Sequence, residues 1–487
     1  MKQKTLKEIQ IKSHERMKKH GEVLTASKEV EAMLDLVNEE CKNPDKIFFE
    51  PACGDGNFLI SILRRKLIYL IFSSQTDFEN SILSVLKSIY GTDLLEDNIK
   101  TAQNRMLEQT INYYKSVLHT NPDRIFSDKA ALIIKKNIIK GDFLNNIKFK
   151  NLKINVIIGN PPYQIMDGGG TGDSAKPVYN KFIQKAKEYN PDYITMIIPS
   201  RWMKGGKGLN AFRQEMINDE RIKIIHDFED SKICFPELHI DGGICYFLWD
   251  KNYSGETEYH HYALDGNISI TNRHLKTNLT NNVIRDYRQI SIIEKAARYK
   301  EEKFSSIVYS RNPYGFYADL FNAPEHYPEI KISKSYIGDL YKIYGILGKK
   351  GGAKRVFGYV NPDTVKKNKA EAQNYKLFFS KAYTTTSTVP PEIILGKPGE
   401  VCTETFLQIG KFENAEIAEN CLSYIKTKFF RALLFFNRHS LNISKKSFEL
   451  IPIQDFSQKW NDEKLYKKYN FEQKEIDFIN SIIKPVL

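Results

Sequence analysis

The chain has 487 residues, 41% hydrophobic and 27% charged, an ordinary composition for a globular protein with room for two to four domains. No stretch approaches the ~18 uninterrupted apolar residues of a membrane span, and the polar start Met1-Lys2-Gln3-Lys4 lacks the apolar segment of a signal peptide. The net charge of +13 is uneven: residues 1–270 carry 37 basic and 36 acidic side chains, residues 271–487 carry 35 and 23.

Residues 1–20 are polar and basic and are expected to form a helix or an arm. Val30, Met33, Leu34 and Val37 then fall at i, i+3, i+4 and i+7, the spacing of one helix face. Residues 46–50 read as a strand that runs into a glycine turn, with a helix from Asn57. The apolar run 67–72 is too short for a bilayer and reads as core. Further short strands are expected at 88–93, 137–142, 154–159, 192–199, 221–228 and 244–249. A helix from about Asp97 and an inserted one near 78–86 complete the pattern. Strands alternating with helices predict an α/β fold, a mostly parallel sheet with helices on both faces. Such sheets bind ligands beyond the carboxyl ends of their strands. After about residue 265 the rhythm is lost. Residues 272–285 form a polar, linker-like stretch, aromatic-rich segments with Gly and Pro turns follow, and helices close the chain from about Glu416.

The six cysteines, Cys41, Cys53, Cys234, Cys245, Cys402 and Cys421, form no C-x-x-C pair and lie at no metal-ligand spacing. Reduced thiols in a cytoplasmic protein without a metal site are expected.

Three constellations carry chemistry, all at predicted strand ends. The first is Glu50-Pro51-Ala52-Cys53-Gly54-Asp55-Gly56-Asn57-Phe58. Its glycines permit close backbone approach to a ligand. It lacks the third glycine of the dinucleotide fingerprint and a phosphate-binding Lys-Ser/Thr, so a nucleoside without phosphates fits better than NAD or ATP. Strand–Gly–helix turns also occur for packing reasons alone. The second is the pair Asp93 and Asp142: the former is placed to accept from ribose hydroxyls, the latter from an adenine amino group. Either alone reads more readily as a helix N-cap than as a ligand contact, and the two in register behind a glycine turn shift that balance. The third is Asn160-Pro161-Pro162-Tyr163, directly after an apolar strand. Two prolines remove two N–H donors and fix the backbone. The Asn160 side-chain oxygen and the Pro161 carbonyl can then converge on an NH2 group, and Tyr163 offers a flat face to an extruded base. A proline turn that happens to contain Asn and Tyr is the bland alternative.

The order and spacing of these blocks resemble the gamma-group amino-methyltransferases of bacterial restriction-modification systems. The segment Gly21-Glu22-Val23-Leu24-Thr25 resembles that family's N-terminal motif, whose Thr contacts the methionine end of the donor. The segment 50–58 resembles its donor loop, Asp93 its ribose-binding acid, Asp142-Phe143 its adenine-binding pair, and Asn160 to Tyr163 its catalytic N-P-P-Y. Phe235-Pro236 resembles the later block whose aromatic packs on the flipped base, and residues 200–208 resemble the fused restriction-modification branch.

The resemblance implies a Rossmann-like S-adenosylmethionine-dependent methyltransferase domain over 21–270 and a mixed α+β DNA target-recognition domain over 271–487. It implies S-adenosyl-L-methionine as donor, no metal, double-stranded DNA as substrate and a separate restriction endonuclease as companion. Cys53 is expected to be chemically idle. Lys349, Lys350, Lys354, Arg355 and Arg438 are candidate phosphate contacts; a solvated basic surface is the competing reading. Two rival functions stay open. One is a fused nuclease–methylase, although donor motifs within the first few dozen residues leave little room for an N-terminal nuclease. The other is an N-P-P-Y methylase acting on RNA or on protein glutamine.

Overall fold

The computed structural model describes residues 10–485 apart from 11, 14, 18–20, 146–148, 150–151, 167–174, 207, 310, 349–351, 383–386, 392 and 439–442. The chain divides into two compact units, residues 1–277 with 281–285 and residues 278–280 with 286–487. The boundary expected at 270/271 falls inside a strand of the first unit.

The first unit is built on one nine-stranded sheet. Its strands are β1 (Phe48–Glu50), β2 (Ile89–Asp93), β3 (Ile138–Lys140), β4 (Val156–Gly159), β5 (Tyr193–Pro199), β6 (Ile222–Phe228), β7 (Ile244–Asp250), β8 (Thr257–Tyr262) and β9 (Ile268–Arg273), in the spatial order 9-8-6-7-5-4-1-2-3. The run from β3 to β5 is parallel throughout. β7 is antiparallel to both β5 and β6, and the β8–β9 hairpin extends the edge. β1 and β4 are adjacent, yet the chain leaves them in opposite directions across the sheet. That is the switch point at which an α/β sheet opens a crevice.

Side chains alternate across the sheet as strand geometry requires. Phe48 packs on one face with α1 (Ser27–Asp35), α2 (Asn57–Ile68), α3 (Gln75–Lys87), α4 (Glu96–Leu118) and α5 (Arg124–Asn137). Phe49 packs on the other with α6 (Tyr179–Glu188) and α7 (Asn210–Ile217). α3 is the inserted helix, started by Ser74, whose hydroxyl accepts from the Asp77 N–H at 3.2 Å. α5 and the β8–β9 hairpin are additions to the predicted set. The run 67–72 corrects its reading as core: Leu67 is buried, but Ile68 and Ile71 are 72% and 92% exposed, because the run straddles the end of α2 and the turn after it. Among the described residues no helix is long and apolar enough to cross a membrane. All six cysteines are buried and free of disulfides.

On the first sheet face His226 is stacked between its cross-strand neighbours, Tyr246 at 4.6 Å and His260 at 4.1 Å between ring centroids. Burial, reinforced by His260, pushes its pKa down to about 3. Unfolding frees His226 to take up a proton below its ordinary value of ~6.5. Its contribution to stability is therefore present above pH ~6.5 and lost as pH falls toward about 3. His226→Phe should flatten the decline in urea midpoint between pH 7 and pH 4. An unchanged decline would remove His226 as its source.

The second unit is mixed α+β. One three-stranded sheet joins β11 (Lys354–Val360), β10 (Tyr341–Leu347) and β14 (Glu400–Cys402), in that order. Another joins β13 (Ile394–Gly396), β12 (Tyr375–Ser380) and β15 (Phe406–Phe412). The helices Ala415–Lys426 and Lys428–Asn437 follow as the expected helical close, the second capped by the Thr427 hydroxyl.

Candidate active site

The carboxyl ends of β1, β2, β3 and β4 converge on one cleft. The glycine turn after β1 forms its floor. Gly56 has φ +92°, and a Cβ there would lie 3.1 Å from that of Ala102, so the turn holds α2 against α4 through glycine's freedom and its lack of bulk. Thr25, Glu50, Pro51, Ala52, Cys53, Gly54, Asn57, Phe58, Asp93, Asp142, Phe143 and Asn160 all line the cleft, as sequence reasoning placed them. Gly56, Pro161 and Tyr163 sit behind the lining.

Glu50 is 2% exposed. Burial pushes its pKa well up, with Asp93 and Asp55 adding to the effect. Its Oε2 has no hydrogen-bond partner among the described residues. A carboxyl in this state suits a cationic ligand that supplies the missing donor. Asn57 donates to the Thr25 carbonyl at 2.8 Å and accepts from Arg105 at 3.0 Å, tying the segment 21–25 to the glycine turn. Cys53 is buried, and burial raises its thiol pKa well up, consistent with an idle side chain.

Asp93 accepts from the Gly54 N–H at 2.9 Å and from the Leu95 N–H at 2.8 Å, so it braces the glycine turn as well as lining the cleft. Asp142 accepts from the Leu144 N–H at 2.9 Å and from Asn145 at 2.7 Å. Phe143 stacks on Phe182, with ring centroids 5.3 Å apart, and both line the cleft as a flat apolar wall.

Asn160 closes the cleft at the end of β4. Its Nδ2 donates to the Val23 carbonyl at 3.0 Å, which fixes the amide's orientation, and its buried Oδ1 is left without a hydrogen-bond partner. The turn is held from outside by Gly21 (φ +65°), where a Cβ would lie 3.2 Å from that of Pro162. The Tyr163 hydroxyl neighbours Asn160 without reaching hydrogen-bond geometry, and burial pushes its pKa well up. Phe235 needs correction: it has no exposed surface and meets Tyr163 edge-on at 6.4 Å, so it supports that ring from the core and has no open face for a base.

Arg438 also needs correction. It is 4% exposed, donates to the Ser387 carbonyl at 3.0 Å and lies over Phe435, so it is engaged in the fold. Lys354 and Arg355 are exposed at the start of β11. Lys349 and Lys350 lie outside the described residues. Among the described residues no group of three or more His, Cys, Asp or Glu could hold a metal.

Sequence reasoning missed Asn98, Glu22 and the Val23 carbonyl. Asn98, a buried polar residue in the first turn of amphipathic α4, carried a legible signal. The other two depend on contacts between segments far apart in sequence.

A mostly parallel sheet with a glycine turn after β1, and an Asn-Pro-Pro-Tyr turn after the adjacent β4, is an α/β fold with its cleft at the switch point. Residues 87–235 match the family model described as Eco57I restriction-modification methylase, a span that includes Asp93, Asp142, Asn160 to Tyr163 and Phe235. The matched stretch lies within the first unit. A curated relative from Mycoplasma pneumoniae (strain ATCC 29342 / M129 / Subtype 1), described as an uncharacterized adenine-specific methylase, is 45% identical over 111 residues. That match covers 22% of this chain and 26% of the relative, so the chain spans about a quarter of that relative's length. Among solved structures, the type IIL restriction-modification enzyme MmeI in complex with DNA is similar with a TM-score of 0.51 and 12% identity, over 90% of this chain and 68% of that one. A DrdV–DNA complex is similar with a TM-score of 0.51 and 10% identity, over 91% and 56%. These two likenesses are of fold.

Proposed function

We propose that the protein is a site-specific DNA methyltransferase that moves a methyl group from S-adenosylmethionine to the N6 amine of adenine, flipped out of double-stranded DNA, within a restriction-modification system. The observation that carries this reading is the Asn160 amide: its nitrogen is committed to Val23, and its oxygen is buried and without a hydrogen-bond partner, in a residue that lines the cleft.

The cleft suits the donor. Glu50, with its unpartnered oxygen, would hold the ammonium end near Thr25; Asp93 the ribose; Asp142 and the Phe143 wall the adenine. S-adenosylmethionine, when bound, supplies a methyl group on an electron-poor sulfur. The chain's own part is positioning, the larger share of catalysis for an in-line transfer. Asn160 Oδ1 and the Pro161 carbonyl accept the two amine hydrogens and turn the nitrogen lone pair toward the cleft. Tyr163, braced edge-on by Phe235, stacks against the base. The proton lost from nitrogen passes to solvent. The excess of basic residues beyond residue 270 supports an anionic polymer as substrate. So do the descriptions of the similar proteins, one an uncharacterized adenine-specific methylase and two solved as complexes with DNA.

Modified-base sequencing of DNA from a methylation-free host expressing the protein tests this reading. N6-methyladenine in one recurring motif is expected. Unmodified DNA alongside soluble, donor-binding protein would overturn it in favour of an RNA or protein substrate.

A further inference from the structure

Resting on that reading of the donor cleft, we infer that Glu22 is a second ribose-binding carboxylate, paired with Asp93 through Asn98 to hold the donor's two vicinal hydroxyls. Asn98 is 1% exposed and lies in the cleft lining between the two acids. Its Nδ2 donates to Glu22 Oε1 at 2.7 Å and to Asp93 Oδ1 at 3.2 Å. Two carboxylates are thereby drawn together by a neutral donor shared between them. Their mutual repulsion is relieved from the other side. Arg16 binds both oxygens of Glu22, and Lys12 and Arg16 donate to Asn98 Oδ1 at 2.7 and 3.0 Å.

The array is built around the cleft, and two unpartnered buried atoms in the same lining, Glu50 Oε2 and Asn160 Oδ1, mark that cleft as a ligand site. The other oxygen of each acid, Glu22 Oε2 with one hydrogen bond from Arg16 and Asp93 Oδ2 with one from the Gly54 N–H, retains capacity for another. A cis-diol offers two O–H donors side by side, one for each acid. A 2′- or 3′-deoxy ligand leaves one carboxylate without its partner, which is costly in a desolvated site. Asn98 is a positioning residue: it touches the two acids and sets their spacing.

Calorimetric titration with S-adenosylhomocysteine and its 2′-deoxy and 3′-deoxy analogues tests the assignment. The unmodified protein should bind the ribose form roughly tenfold or more tightly than either analogue, the scale of a charge-assisted hydrogen bond. Glu22→Gln should abolish most of the preference against one analogue and keep it against the other, which Asp93 still reads. Asn98→Ala should weaken both preferences. An equal loss of affinity for all three ligands in Glu22→Gln would overturn the inference and leave the donor cleft intact. Failure of the unmodified protein to bind S-adenosylhomocysteine at all would overturn the donor reading with it.

Discussion

Asn160→Ala is expected to lower DNA methylation by roughly 10²–10³-fold, the scale of losing one pre-aligned polar group at a reacting centre. Binding of S-adenosylhomocysteine should change only a few-fold, because Asn160 contributes one of many surfaces in the cleft. The separation follows from the geometry. Nδ2 is spent on the Val23 carbonyl, so Oδ1 is the side-chain atom left to accept a hydrogen bond. Asn160→Asp sharpens the test. It keeps an oxygen at the Oδ1 position but sets a carboxylate oxygen against the Val23 carbonyl, two acceptors with no proton between them. Aspartate should therefore fail to restore activity although it is nearly isosteric. Full methylation by either variant would remove Asn160 from the reaction.

The largest effect on stability is expected from Arg285→Ala, about 3–5 kcal/mol, the range for breaking a buried ion pair from one side. Asp227 is fully buried. Arg285 grips it with two donors, at 2.6 and 2.7 Å, and Ser200 and Tyr259 complete its shell at 2.7 and 2.8 Å. Burial alone would lower the guanidinium pKa, but Asp227 and Glu229 more than offset that and raise it. Alanine leaves the carboxylate charged, desolvated and short of two donors. It also releases the Gly242 carbonyl, 2.7 Å from the guanidinium, in the loop that leads into β7. Arg285→Lys restores a charge without the planar fork and should recover part of the loss. A urea-unfolding difference below about 1 kcal/mol for alanine would show that the shell reorganises around water, in the manner of a surface pair.

How much of this was legible in the sequence depends on the range of the contact. Glu50 to Phe58 and Asn160 to Tyr163 are contiguous, follow apolar strands and keep their meaning as strings, so their convergence on one cleft was predictable. The inserted α3 announced itself through length, because Gly56 to Asp93 spans more residues than a plain βαβ unit needs. Contacts between distant segments did not. Asn160 to Val23 spans 137 positions, Arg285 to Asp227 spans 58, and Glu22 to Asn98 spans 76. Charge type misled where burial decided the outcome. Arg438 looks like a phosphate ligand in a basic half, but its guanidinium is enclosed by Ser387 and Phe435. Apolar type misled in the same way at Ile71, which is hydrophobic yet exposed. The β8–β9 hairpin was missed because β9 alternates half-buried and exposed residues at the sheet edge, without the apolar run that marked the inner strands.

The buried cysteines give the molecule a built-in record of its own opening. Cys41, Cys53, Cys234 and Cys245 report on the first unit, Cys402 and Cys421 on the second. Burial pushes Cys41 up to about 11 and Cys245 up to about 12, so neither offers an appreciable thiolate while the fold is closed. Oxidants and alkylating reagents reach sulfur only when a unit unlatches, and the position of the labelled thiol states which one did.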